Sequence, residues 1–380
     1  MKIAVYAICL NEVQFAERFM AACAEADVVT IADTGSTDGT PEALAALGAA
    51  VHRISIKPWR FDDARNAALA LVPGDADICV SLDLDEVPQP GWRQALEAAW
   101  TEGATRAFYT FVASHNADGS PGVQFVNNRI HQRHGYRWRH ACHEGLYPDR
   151  VTEHFVSAHA MRVEHFPDTT KSRSGYLPLL ATAVAEEPGD PRMAHYYARE
   201  LFYHARHAEA IAEFQRYLAL GPDCGVAERA ASMIMIGKCL VAMGEDGTTW
   251  FQRAVAESPD QREPWIELSE NHYRRNEWPS CYAAALRGLS IAAVSTAYMS
   301  DPRCYGATPD DLASIAAWQM GLRRESLAHA RLAARAAPDD ARIAANVRFI
   351  EGELGEAAAP AAHQRHGPAA DDGLRDAGGA

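Results

Sequence analysis

The stretch Ile78–Glu86, ICVSLDLDE, is an apolar run that ends abruptly in three carboxylates. A run of this length bounded by polar residues reads as a buried strand. With Ile78 to Leu82 as a central strand, Asp83 and Asp85 lie at its carboxyl end, two positions apart, and project to the same side. Such an oxygen-rich corner suits a hard divalent cation. Mg²⁺ is usually held by one or two carboxylates plus substrate phosphates, so the pair points to a metal-bound phosphorylated ligand. Acidic residues after a strand also serve as helix caps and turn formers, and the neighbouring segments decide between the two readings.

Upstream, residues 2–10, KIAVYAICL, read as a first strand, with Asn11 and Glu12 at its carboxyl end before an amphipathic helix to about Glu25. Val28–Ala32 is a second buried-type strand, followed by the turn and capping residues DTGSTDGT, 33–40. Pro41 opens a short helix to Leu47, Val51–Ile56 is a third strand, and FDDARNAALAL, 61–71, is a helix opened by acidic residues. Strand and helix alternating at this spacing predict a doubly wound α/β sheet whose ligand crevice lies beyond the carboxyl ends of the strands. Asn11, Glu12, Asp33, Asp83 and Asp85 gather there. No G-x-G-x-x-G follows the first strand and no G-x-x-x-x-G-K-[ST] occurs, so phosphates are expected to be handled through a metal.

The order LNE, DTGSTDGT, DDARN, DLDE resembles the family 2 glycosyltransferases of the GT-A fold. The four blocks cover about the first 90 residues. The resemblance implies a nucleotide-sugar-binding domain in which Asp33 binds the base or ribose, and Asn11 and Glu12 line the base pocket. It also implies that Asp83 faces the ribose and that Asp85 holds Mn²⁺ or Mg²⁺. Family members often carry DDGS where this chain has Asp33-Thr34-Gly35-Ser36, so Asp33 carries that assignment alone. Arg65 and Asn66 are candidate pocket residues; the other reading of Arg65 is a pair with Asp62 or Asp63 on one helix face.

The 380 residues carry a formal charge of −14, with 48% apolar and 23% charged residues. That is ordinary globular composition, long enough for two or three domains. An acidic balance excludes a general nucleic-acid binder, since phosphate contacts need a basic surface. Arg129, Arg133, Arg137 and Arg139 are a local exception able to meet a diphosphate. The eight cysteines form no CxxC pair, which argues against structural zinc of the usual spacing and for buried thiols in a reducing compartment. The apolar segment Ile3–Leu10 is too short to span a membrane and has neither a basic leader nor a small-residue cleavage site. A cytoplasmic protein without a membrane span is expected.

Downstream, Gly91–Glu102 reads as a helix, and Phe108–Ala113 and Val123–Ile130 as strands. RIHQRHGYRWRHACHEGL, 129–146, concentrates basic, aromatic and titratable residues, a density that marks binding or catalysis. It resembles the segment ending in HE that follows the acidic motif in this glycosyltransferase subgroup. Glu144 is thus the candidate general base, or else a structural acid paired with Arg137 or Arg139. Trp138 either stacks on a sugar or fills core. Some GT-A enzymes complete the metal site with a late histidine, and His165, in the strand-like AMRVEHF, stands at the matching place; the other reading of this lone histidine is a structural one. Lys171 and Arg173 are candidates for neutralising a leaving diphosphate.

Beyond Pro188–Pro191 the texture changes to Ala, Leu, Tyr and Arg at helical spacing, with Pro-Asp pairs at 222–223, 259–260 and 338–339. These intervals are near those of tetratricopeptide-type helix pairs. The expected organisation is a GT-A domain over residues 1–188, an all-α tetratricopeptide-like repeat domain over 189–352, and a disordered tail over 353–380. The combination is similar to the sublancin-type peptide glycosyltransferase subgroup. It implies a metal-dependent, inverting transfer of a sugar from a nucleotide diphosphate, UDP before others, to an acceptor hydroxyl or thiol. Peptide or protein, glycan, and lipid-linked acceptors are expected in that order, and the repeats offer a surface for a peptide or a second protomer. Two rivals stand beside it: an interaction scaffold with an inactive transferase domain, and an aspartate-dependent phosphatase.

Overall fold

The computed structural model describes residues 1–116, 118–168, 175–221, 225–294 and 300–358. Strand β1 (Ile3–Cys9) is buried along its entire length, so both of its faces pack against protein. It is followed by α1 (Ala16–Ala22), β2 (Val28–Asp33), α2 (Thr40–Ala46), β3 (Ala50–Arg53), α3 (Phe61–Leu71) and β4 (Ile78–Ser81). β3, β2, β1 and β4 lie side by side in that order, all parallel. This is the doubly wound half expected from the sequence.

Beyond β4 the sheet becomes mixed. β5 (Glu86–Pro88), α4 (Trp92–Ala99), β6 (Arg106–Val112), β7 (Gln124–Gln132), β8 (Tyr136–Arg139), β9 (Gly145–Pro148) and β10 (Phe155–His165) complete it. The strand order is β3-β2-β1-β4-β7-β6-β10-β5, and β8 and β9 form a separate antiparallel hairpin. Period-two alternation along β1 divides the core between two faces. Ile3, Val5 and Ala7 pack with Phe19, Leu44, Trp92 and Leu96 from α1, α2 and α4. Ala4, Tyr6 and Ile8 pack with Ala64, Ala68 and Leu69 of α3 and with Tyr136, Trp138 and Leu146 of the hairpin.

An all-helical stretch follows: α5 (Tyr176–Glu186), α6 (Pro191–Tyr203), α7 (His207–Ala219), α8 (Val226–Ala242), α9 (Thr248–Glu257), α10 (Arg262–Arg274), α11 (Trp278–Leu289), α12 (Thr308–Gln319), α13 (Arg323–Ala336) and α14 (Ala341–Ala358). It therefore begins before residue 189. Asp190 caps α6, its Oδ1 accepting from the Met193 amide at 3.0 Å, with Pro191 at the first turn. Ala198, Ala210 and Phe214 are fully buried where α6 meets α7, as the small-and-aromatic pattern predicts. α8 and α9 approach more tightly: a Cβ on Gly237 would lie 2.7 Å from the Phe251 ring.

By contact the chain divides into two units, Met1–Leu268 with Ile291–Asp301, and Ser269–Ser290 with Pro302 and the described residues after it. The expected disordered tail starts too early. α14 continues to Ala358, because Glu353, Leu354 and Glu356–Ala358 are all good helix formers. The remainder of that tail, the Pro222-Asp223 pair, Cys224, Lys171 and Arg173 lie outside the described residues. The seven described cysteines are buried thiols. Among the described residues no helix is long and apolar enough to cross a membrane.

Candidate active site

β4 is buried throughout, and burial alternates past its end: Leu82 and Leu84 are fully buried while Asp83 and Asp85 are half-buried. A turn closed by the Glu86 amide on the Asp83 carbonyl at 3.0 Å reverses the chain into β5. Arg65 of α3 donates from Nη2 to Asp83 Oδ1 at 2.8 Å, and its Nε donates to Glu144 Oε1. Arg129 of β7 reaches Asp83 Oδ2 at 3.2 Å and Glu86 Oε1 at 3.3 Å through Nη1. Asp83 thus sits between two guanidiniums. Burial opposes its ionisation, but Arg65 and Arg129 outweigh that and hold the carboxyl well below the usual carboxylate range. Burial, reinforced by the Asp83 charge, pushes Glu86 upward.

Asp85 meets a different partner. β5 pairs antiparallel with the end of β10, setting Glu86 opposite His165, and the Phe166 amide donates to the Asp85 carbonyl at 2.9 Å. His165 Nε2 comes within 3.3 Å of Asp85 Oδ2. Burial disfavours the imidazolium, but the hydrogen bond and charge of Asp85 raise the His165 pKa above its ordinary value. The two residues expected to share a metal are therefore adjacent. A carboxylate oxygen and an imidazole nitrogen on one ion, with bonds near 2.1 Å, stand roughly 3–3.5 Å apart, so the donor set fits a divalent cation.

The first loops are laced together by their own polar groups. Asp33 is fully buried and its carboxylate accepts from the amides of Gly35 at 3.3 Å and Ser36 at 3.1 Å, fixing a turn in which Gly35 has φ +120°. Asn11, at φ 53°, accepts from the Thr37 amide at 2.8 Å and donates its own amide to Ser36 Oγ at 2.9 Å. The Glu12 amide donates to Thr40 Oγ1 at 2.8 Å. Asp33 and Asn11, expected in a nucleotide pocket, both shape the turn that follows β2.

The hairpin docks on α3. Asn66 donates to the Trp138 carbonyl at 2.9 Å and accepts from its amide at 3.0 Å, so both ends of this expected pocket residue brace the hairpin backbone. Trp138 is core: it is 1% exposed, lies under the Arg65 guanidinium at 5.1 Å, and donates Nε1–H to the Tyr6 hydroxyl at 2.9 Å. The Tyr6 hydroxyl is 3.0 Å from His131 Nε2, whose Nδ1 is 2.7 Å from the Gln132 carbonyl. Tyr6 therefore donates to Nε2, and Nδ1 carries the proton. Burial pushes the His131 pKa down to about 3.

Residues 5–157 match the family model described as Glycosyl transferase family 2. The matched segment contains Asp33, Arg65, Asp83, Asp85 and Glu144 and stops short of His165. No curated protein matches the chain. Solved structures similar to its helical stretch include YrrB, a TPR protein with an unusual peptide-binding site, at 13% identity over 46% of this chain and 84% of that one, TM-score 0.37. Others are the MamA protein, at 14% identity over 44% and 85%, TM-score 0.35, and TTC0263, a thermophilic TPR protein in Thermus thermophilus, at 15% over 46% and 88%, TM-score 0.32.

Within and beside the family 2 segment, several site residues differ from expectation. The four arginines do not gather. Arg129 joins Asp83, Arg133 donates to the Val72 and Pro73 carbonyls, and Arg137 and Arg139 alternate to the exposed face of β8. Glu144 pairs with Arg65 rather than with Arg137 or Arg139, and Arg65 leaves Asp62 to Arg60. Glu86 is the site residue that sequence reasoning missed, and Arg129, expected to meet a diphosphate, instead pairs with Asp83 and Glu86. Glu86 is visible as the third carboxylate of DLDE, and its burial follows from the same alternation that leaves Asp83 and Asp85 half-buried.

Proposed function

We propose that this chain is a metal-dependent glycosyltransferase that moves a sugar from a nucleotide diphosphate, UDP before others, to an acceptor hydroxyl or thiol with inversion. The observation that carries the reading is the meeting of Asp85 and His165 at the carboxyl end of β4, beside a segment matched by the family 2 model. Asp85 and His165 would hold Mn²⁺ or Mg²⁺, which supplies neutralisation of the diphosphate charge. Asp83, its geometry fixed by Arg65 and Arg129, would face the ribose, and the Asn11–Glu12 and Asp33–Thr40 turns would border the base.

In the transfer, the bond from the anomeric carbon to the diphosphate oxygen breaks as the acceptor oxygen or sulfur bonds to that carbon. Glu144 takes the acceptor proton, its Oε1 already anchored by Arg65 Nε. The helical stretch offers a surface for the acceptor, a peptide or protein ahead of glycan or lipid-linked molecules, or for a second copy of the chain. A cytoplasmic location accords with the buried thiols. An aspartyl-nucleophile phosphatase fits poorly, since two guanidiniums occupy Asp83.

Calorimetric titration with UDP and GDP, with and without Mn²⁺, tests the proposal on wild type and Asp85→Ala. Metal-dependent UDP binding lost in the variant supports it. Absence of nucleotide binding under every condition overturns it in favour of an interaction scaffold.

A further inference from the structure

Among the described residues, one group of three metal-competent side chains has its donor atoms all within 4.8 Å of one another: His140, Glu187 and Asp190. None belongs to the Asp83–Asp85 motif. His140 begins the loop between β8 and β9, Glu187 follows α5, and Asp190 caps α6. We propose that these three residues form a divalent-metal site of the zinc type, tying the loop that carries Glu144 to the start of α6.

The donor set is mixed rather than acidic alone, and its nitrogen is built in. The His140 side chain is 3% exposed, and Nε2 lies 3.2 Å from Asp190 Oδ2. Asp190 divides its work: Oδ1 accepts from the Met193 amide at 3.0 Å, leaving Oδ2 for the imidazole side. Glu187 is exposed, and its carboxylate has no hydrogen-bond or ion-pair partner among the described residues. The Tyr147 hydroxyl, 3.1 Å from His140 Nε2, adds a further oxygen. Arg192 and Arg139 both lie against Tyr147, so two carboxylates converge on one imidazole with these guanidiniums on the phenol side. A cation between the carboxylates removes their mutual repulsion.

Imidazole with two carboxylates is a donor set that Zn²⁺ accepts in tetrahedral geometry, with water or a phenol in the fourth position, whereas Mg²⁺ prefers oxygen alone. The site lies apart from Asp85 and His165 in composition and in the elements it joins. Its presence does not depend on the transferase reading.

The test is zinc titration of the full chain, stripped with chelator, by competition calorimetry in an Asp85→Asn background that disables the other candidate ligand pair. One equivalent of Zn²⁺ is expected, weakened at least tenfold by Glu187→Gln, an exposed change that spares the fold, and further by His140→Gln. Cobalt in place of zinc should give visible d–d absorption that Glu187→Gln alters. Absence of zinc binding in the Asp85→Asn protein overturns the proposal, as does binding unchanged by both further substitutions. A far-ultraviolet dichroism spectrum shows that each variant is folded.

Discussion

Asp83 and Asp85 leave one strand two residues apart and face the same side, yet one is clamped and the other is not. Asp83 holds two guanidiniums that stay charged at any accessible pH, and through Arg65 it is joined to Glu144 and to the Trp138 ring. Asp85 holds one imidazole, which can exchange its proton for another cation. A short acidic motif can thus divide its labour, with one carboxylate committed to architecture and its neighbour kept exchangeable. β5 creates the difference, because its pairing brings His165 to Asp85 and leaves Asp83 facing α3 and β7.

The largest effect should come from breaking the clamped side. Arg65→Met takes the buried cation from Glu144 and one of the two guanidiniums from Asp83, and a loss of about 3–5 kcal/mol is expected in urea unfolding. A loss under about 1 kcal/mol would remove the contrast. Next comes acid. His131 stays neutral in the folded chain until about pH 3, whereas the unfolded chain takes up its proton near 6.5. The unfolded state therefore binds more protons in that window, and stability falls as the pH falls from 6.5 toward 3. His195, also pushed down to about 3 by burial, acts in the same sense. The His131 share amounts to about 2–3 kcal/mol between pH 6.5 and 4.5, read as the difference in slope between wild type and His131→Gln.

Asn66→Ala should cost about 1–2 kcal/mol in thermal unfolding, since it removes two hydrogen bonds to the Trp138 backbone. Smallest of all is the stability effect of Asp85→Asn, under about 1 kcal/mol. If that variant unfolds as readily as Arg65→Met, both aspartates are structural and the division of labour fails.

The parallel half was legible because its signals are local. Ile78–Ser81 and Val28–Asp33 are apolar runs, and Phe61–Leu71 is a helix whose limits the sequence marks with its acidic start. β5 was not legible. Three residues carry no periodicity, and their strand character comes from pairing with Val163, Glu164 and His165 of β10, far along the chain. The β8–β9 hairpin could have been found, since Tyr136-Arg137-Trp138-Arg139 alternates inward aromatic and outward cation. It was hidden by reading the basic residues as one cluster, when adjacent strand positions face opposite ways. Arg65 illustrates the same limit: helix spacing offered Asp62 as its partner, while the fold delivered Asp83 and Glu144 from elsewhere in the chain.

The strands at the two borders of the sheet have one more consequence. β5 is three residues long and ends in Pro88, which has no amide hydrogen to offer, and β3 is four residues long and carries His52 and Arg53. Short, charged or proline-bearing borders give an incoming strand too few free main-chain groups to join. Self-association by lengthening the sheet, the usual route from a folded β-edge to insoluble aggregate, is closed at both ends.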